Sequence, residues 1–137
     1  EFKINNVTLV GVIDRIDFFS NGVIIYDYKT NKKLKSKKQL KKSIQFYIYF
    51  LAIKQIEKNI DSGNIIISIY NLVHDKVDSF LYLCDELAEL KQSLHTSIKD
   101  ISLSSDFRPN ETPLCNWCYY WKECSIKLAV NLPVIRL

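Results

Sequence analysis

Apolar and polar residues alternate loosely over residues 2–10 and again over 12–19, with Gly11 between the two runs. A two-residue period is that of a half-buried β-strand. Ser20-Asn21-Gly22 follows, and Asn-Gly accepts the positive φ angles of a tight primed turn. Residues 23–29, rich in Val, Ile and Tyr, read as the returning strand. Residues 2–29 therefore predict a three-stranded antiparallel meander. The period then changes. Leu40, Ile44, Tyr47, Ile48, Leu51 and Ile56 recur at helical spacing, which predicts one helix over 39–58. Phe46, Tyr49, Phe50 and Ile53 fill its other side, so this helix is buried over most of its surface. Asp61-Ser62-Gly63 ends it. Residues 64–73 contain IIISIYNLV, a strand-type run that follows a helix and so rejoins the sheet by a crossover. A second helix is predicted over 78–101, with Leu83, Leu87, Leu90, Leu94, Ile98 and Ile101 as its apolar stripe. A loop over 104–113 leads to a tail that carries CNWCYYWKEC and ends in LPVIRL.

The order βββ-α-β-α specifies an α/β fold: a mixed central sheet, from an antiparallel meander plus a crossover strand, flanked by helices. At 137 residues the chain is long enough for one core, so residues 1–137 read as one domain, with 107–137 a cysteine-bearing carboxy-terminal segment. Composition is that of a folding chain, with 47% apolar and 12% aromatic residues. A net charge of +4 points only weakly to an anionic partner. The longest apolar run, around 46–53, is too short to span a bilayer, so no membrane partner is expected. No signal peptide opens the chain, and the reading is a cytoplasmic protein. Clustered cysteines in such a protein favour metal over disulfides. The sequence opens at Glu1-Phe2-Lys3 with no methionine, as a fragment would.

The charges that stand inside the predicted strands carry the chemistry. Asp14, Asp27 and Lys29 lie among apolar neighbours, and a buried charge is costly unless it is paired or bound to metal. With a turn centred on Asn21-Gly22, Asp14 and Asp27 lie near one level of the ladder, though not directly opposite without a bulge. Lys29 is two residues past Asp27 and shares its face. Two carboxylates at close range call for a cation between them, and hard oxygen ligands favour Mg²⁺, Mn²⁺ or Ca²⁺. A lysine beside them can stabilise charge developing on a phosphate. Together these are the parts of metal-assisted phosphodiester hydrolysis. The same residues also fit exposed surface pairs, Asp14 with Arg15 and Asp27 with Lys29, on an edge strand; Asp17, near the hairpin end, fits that reading better.

GVIDRID (residues 11–17), followed across a hairpin by DYKT (residues 27–30), resembles the PD-(D/E)XK nuclease superfamily. The branch it is most similar to is the RecB/AddB-like one, which includes the CRISPR-associated iron–sulfur exonucleases. Gln45-Phe46-Tyr47-Ile48-Tyr49 matches that branch's Q-x-x-x-Y, and Phe107-Arg108-Pro109 matches its F-x-P loop ahead of the cysteines. The resemblance implies a restriction-endonuclease-like fold and a divalent-metal-dependent DNA nuclease. It implies that Asp14, Asp27 and the Tyr28 carbonyl bind Mg²⁺ or Mn²⁺. Lys29 then positions or activates the water, and Gln45 and Tyr49 face the active site from the helix. Read from spacing alone, Gln45 and Tyr49 also fit a polar rim on a core helix. The resemblance implies one more ligand, a histidine or glutamate, from a helix that precedes the first strand. That helix is absent from this sequence, and Glu1 stands where it would end.

Cys115, Cys118 and Cys124 have a spacing that can wrap one metal centre. Three free thiols in a Trp/Tyr-rich tail fit the same pattern, as does zinc completed by His74 or His95. The resemblance implies a [4Fe–4S] cluster whose fourth cysteine lies outside this chain; Cys84, on the second helix, packs as a small hydrophobe. Eight lysines occupy the fourteen positions 29–42. Beyond Lys29 they are Lys32, Lys33, Lys35, Lys37, Lys38, Lys41 and Lys42, and next to the metal site they would neutralise DNA phosphates. A solvated loop is the plainer reading of such a run. No base-reading motif appears. The sequence therefore supports a DNA exonuclease acting in repair, recombination or related processing, with a helicase or other processing subunit as partner. Its rival is a catalytically inactive DNA-binding or structural module of a larger repair complex.

Overall fold

The strand Gly22–Lys29 shows how this sequence orders the fold. Its alternate residues Val23, Ile25 and Asp27 are buried, while Ile24, Tyr26 and Tyr28 between them are only half-buried. One face of the strand is thus committed to the core, and the sheet is assembled around it. A computed structural model describes residues 1–4, 6–105, 109–124 and 126. Two compact units divide at Ile101/Ser102. The first holds β1 (Phe2–Ile4), β2 (Val7–Leu9), β3 (Arg15–Phe19), β4 (Gly22–Lys29), α1 (Lys37–Lys41), α2 (Ile44–Ile56), β5 (Ile65–Asn71), β6 (Lys76–Phe80) and most of α3 (Cys84–Leu103). In the second, a 3₁₀ turn spans Pro113–Trp117.

The main sheet has the order β3-β4-β5-β6. β4 pairs antiparallel with β3 and parallel with β5, and β5 pairs antiparallel with β6. Val23, Ile25, Ile65, Ile67 and Ile69 present one apolar face, and Phe46, Tyr47, Tyr49, Phe50 and Ile53 of α2 pack in the same core. Phe80 and Tyr82 add edge-on contacts, with ring centroids 5.4 Å apart and Tyr82 5.6 Å from Phe50. From α3, Leu90 and Leu94 are buried, while Leu83 and Ile101 at the ends of the expected stripe are exposed. The mixed sheet with its parallel crossover pair and flanking helices is the architecture the element order predicts, and it is consistent with the restriction-endonuclease-like fold the resemblance implies. No helix among the described residues is long and apolar enough to cross a membrane.

Four details differ from the sequence reading. The first predicted strand is a hairpin of its own: β1 and β2 pair with each other, Ile4 opposite Val7, in a separate two-stranded sheet. Asn6, a residue type that favours turns, lies in the turn between them. The predicted helix over 39–58 is two helices. Ser36 and Gln39 form a capping box that starts α1 early, and α2 begins after Ser43, whose extended backbone interrupts the first helix. Residues 76–80 form β6 rather than the start of α3. Asp75 at φ 47° makes the turn that returns the chain, a conformation aspartate tolerates better than most residues.

The fourth difference concerns the β3–β4 turn. Phe19 pairs with Gly22, so the two-residue loop is Ser20-Asn21, and neither it nor Gly22 has positive φ. Gly22 is needed for space instead. A Cβ there would lie 2.3 Å from the Asn64 carbonyl oxygen and 2.4 Å from Phe19 Cζ. The Phe19 ring can swing away, but the backbone entering β5 cannot. Gly22→Ala is expected to lower stability by about 1–3 kcal/mol through overpacking. Gly63→Ala, where nothing lies within 4 Å, is expected to change it by no more than about 0.5 kcal/mol. Paired urea denaturations measure both.

Candidate active site

Strand parity carries the charges into the core. Asp27 and Lys29 continue the buried face of Val23 and Ile25, at the end of β4 where the apolar cover thins. The break at Ser43 puts Gln45 in the first turn of α2, over that end of the strand. The β3–β4 register pairs Arg15 with Tyr26, which brings Asp14 level with Asp27 without a bulge. Asp14 is not inside a strand: it is exposed, in a bend just before β3.

Asp27 is 2% exposed. Its Oδ1 accepts a hydrogen bond from Gln45 Nε2 at 3.2 Å. Its Oδ2 is buried and lies 2.8 Å from Lys29 Nζ, a charge-assisted pair. Lys29 Nζ donates to Gln45 Oε1 at 3.3 Å and sits 5.8 Å from the centre of the Phe46 ring. Gln45 Nε2 also donates to the Tyr49 hydroxyl at 2.9 Å, and Tyr49 donates to the Val12 carbonyl at 2.9 Å. This chain fixes the Gln45 amide, because the reverse orientation would set its NH₂ against the ammonium and its oxygen against the carboxylate. Asp14 Oδ2 accepts from the Tyr28 backbone N–H at 2.8 Å. Within a strand the N–H and C=O of one residue point to the same side, so the Tyr28 carbonyl faces the side from which Asp14 approaches.

Burial raises the Asp27 carboxyl above its ordinary value; the Lys29 ammonium opposes this, and the Asp14 charge adds to it. Desolvation therefore outweighs the ion pair, and the site holds more negative charge than its own residues balance. A buried carboxylate, a second carboxylate level with it and a strand carbonyl alongside form an all-oxygen donor set suited to Mg²⁺ or Mn²⁺. Arg15 does not balance Asp14. It forms a bidentate pair with Asp17, at 2.8 and 2.6 Å.

A family model described as the PD-(D/E)XK nuclease superfamily matches residues 1–125. The chain belongs to that superfamily. Neither a curated protein nor a solved structure shows a significant match.

The fold brings an acidic pair and a lysine, Asp14, Asp27 and Lys29, together with Gln45 and Tyr49. The cysteines are different. Among the described residues no group of three or more His, Cys, Asp or Glu can hold a metal, so an iron–sulfur cluster at Cys115, Cys118 and Cys124 is not supported. The Cys115 sulfur is occupied locally, accepting from the Thr112 N–H at 3.4 Å. Cys84, expected to pack as a small hydrophobe, is exposed at the start of α3. His74 is exposed, its ring 2.7 Å from the Lys32 carbonyl. Phe107 and Arg108 of the F-x-P loop, and the LPVIRL tail, lie outside the described residues.

The lysine run divides. Lys32, Lys33, Lys35, Lys37, Lys38 and Lys42 are exposed. Lys41 is held at 2.8 Å by both carboxylate oxygens of Glu86 and joins α1 to α3. That pairing, with the Leu83 N–H, pulls the Glu86 carboxyl below its usual range. Sequence reasoning missed Asn71, Lys76 and Asp78, which line a recess beside Lys29. Asp78 stood at the start of the helix predicted over 78–101, and Lys76 lay between the predicted elements, so neither was placed on a strand.

A carboxyl raised on folding binds protons more tightly in the native state, so its stability contribution falls as pH rises from 3.8 through its folded value. Asp27→Asn is therefore expected to raise the melting temperature of the metal-free protein at neutral pH by a few degrees. The gain should vanish well below pH 3.8, where Asp27 is protonated anyway. Thermal scans in EDTA across pH measure both.

Proposed function

We propose that this chain is a divalent-metal-dependent DNA nuclease of the RecB/AddB-like branch, which hydrolyses phosphodiesters from a DNA end during repair or related processing. The observation that carries this reading is the buried Asp27 carboxylate, level with the Asp14 carboxylate and paired with the single ammonium of Lys29. A core position that held only structural charge would not set a second carboxylate beside the first with one ammonium to balance both.

In this reading Asp14, Asp27 and the Tyr28 carbonyl hold Mg²⁺ or Mn²⁺. A cation held there polarises the phosphoryl oxygen and makes a coordinated water more acidic. Lys29 does the work of charge and position. Its ammonium, anchored between Asp27 and Gln45, stabilises the negative charge that accumulates on the phosphoryl oxygens and holds the attacking water. Gln45 braces the Lys29–Asp27 pair, since its amide bonds each of them. Tyr49 holds Gln45 against the Val12 carbonyl. The exposed lysines Lys32, Lys33, Lys35, Lys37, Lys38 and Lys42 contribute phosphate neutralisation, which gives affinity without sequence preference. Lys41, already paired with Glu86, contributes less. A helicase or other DNA-processing subunit fits such a module as a partner.

One observation favours a second reading, a DNA-binding module that does not cut. The described residues gather two carboxylates at the site and no group of three metal-ligating side chains. Cleavage separates the readings. Linear end-labelled DNA incubated with Mg²⁺ or Mn²⁺ is expected to be degraded, and EDTA to stop it. Asp27→Ala and Lys29→Ala are each expected to slow cleavage by at least about 100-fold. Gln45→Ala, which only positions the other two, is expected to slow it about 10- to 100-fold. DNA bound and left intact by the wild type under all metal conditions would establish the second reading.

A further inference from the structure

The recess beside Lys29 has a volume of about 260 Å³ and its own chemistry. Lys29, Lys33, Lys35 and Lys76 line it with a single acidic residue, Asp78. Lys29 pairs with Asp27 and Lys76 with Asp78, so Lys33 and Lys35 supply its surplus positive charge. Phe46 and Ile69 give it an apolar floor. Register places Lys29, Asn71 and Lys76 in one row across β4, β5 and β6, so Lys76 lies two strands, about 10 Å, from Lys29. The wall is built. Asn71, 6% exposed, donates from Nδ2 to the Asn31 carbonyl at 2.9 Å and accepts from the His74 N–H at 3.0 Å. It thereby ties the lysine-bearing loop to the β5–β6 turn. Lys76 is held toward Asp78 at 3.0 Å.

We infer that this recess binds a terminal phosphomonoester of the strand being cut, and so selects a phosphorylated DNA end. The inference rests on the nuclease reading for its biological meaning. An internal phosphodiester carries one negative charge, whereas a phosphomonoester carries about 1.5 to 2 at neutral pH, a better match to the surplus of lysines. The recess is smaller than sites for drug-sized ligands, which start at roughly 300 Å³. The apolar floor suits the sugar that follows the phosphate. Because the row starts at Lys29, an end seated there sets a neighbouring phosphate against the proposed catalytic lysine.

The test is competition in EDTA, so that no strand is cut. Three unlabelled single-stranded oligonucleotides of one sequence, with a 5′-phosphate, a 3′-phosphate or neither, displace a labelled hydroxyl-ended strand. One phosphorylated end is expected to compete about tenfold better than the other two, the worth of a charge-assisted contact. Excess inorganic phosphate should erase that preference, and Lys76→Gln and Lys33→Gln should each reduce it at least threefold. Equal competition by all three ends, or a preference untouched by both substitutions, overturns the inference. Protein that cuts DNA without any end preference refutes the recess alone. Protein that prefers a phosphorylated end but never cuts refutes the nuclease reading alone.

Discussion

The Asp27 carboxylate sits where a charge is least welcome, on the buried face of the central strand. It continues the row begun by Val23 and Ile25, and the parallel pairing with β5 closes that side of the strand to water. Lys29 is close enough to offset part of the cost, and Gln45 satisfies one oxygen. Asp14 and the Tyr28 carbonyl add to the remaining imbalance rather than relieve it, and together they make a setting that suits a cation. A protein optimised for stability alone would carry a leucine at this position. The functional proposal follows from that unfavourable burial.

Geometry around Asp27 depends on features distant from any chemistry. Gly22 lets β4 lie against the chain entering β5, and the strand's parity delivers Asp27 and Lys29 to one face. The interruption at Ser43 turns the buried helix so that Gln45 stands over that face. Tyr49, one turn later, reaches the carbonyl of Val12 and fixes the amide. Local backbone events of ordinary kinds thus set a charged constellation whose members are separated by as many as 35 residues, from Asp14 to Tyr49.

The parts of this that the sequence discloses are those written in short-range patterns. Alternation in residues 23–29 and the apolar run after Gly63 reveal β4 and β5, and the series Asp14, Asp27, Lys29, Gln45 and Tyr49 is visible as a motif. Register was harder. Asn21-Gly22 reads as the turn because its residues suit positive φ, yet Phe19 pairs with Gly22, so the turn lies one residue earlier and Asp14 is level with Asp27. β6 was hidden because KVDSF has little apolar content: its pairing with β5, not its composition, makes it a strand. The recess beside Lys29 was invisible for that reason. The cysteine spacing suggested a metal centre that the described residues do not assemble, since three sulfurs in a short segment can serve local hydrogen bonding or face solvent as readily as converge.

The most direct test of the central claim is a Mn²⁺ titration followed by the electron paramagnetic resonance of the free ion, on the wild type and on Asp27→Asn. The account predicts a saturable site in the wild type that the substitution removes, with Asp14→Asn weakening it. A wild type that leaves Mn²⁺ free, or an Asp27→Asn protein that binds it equally well, would contradict the claim that the buried carboxylate is there to hold a cation.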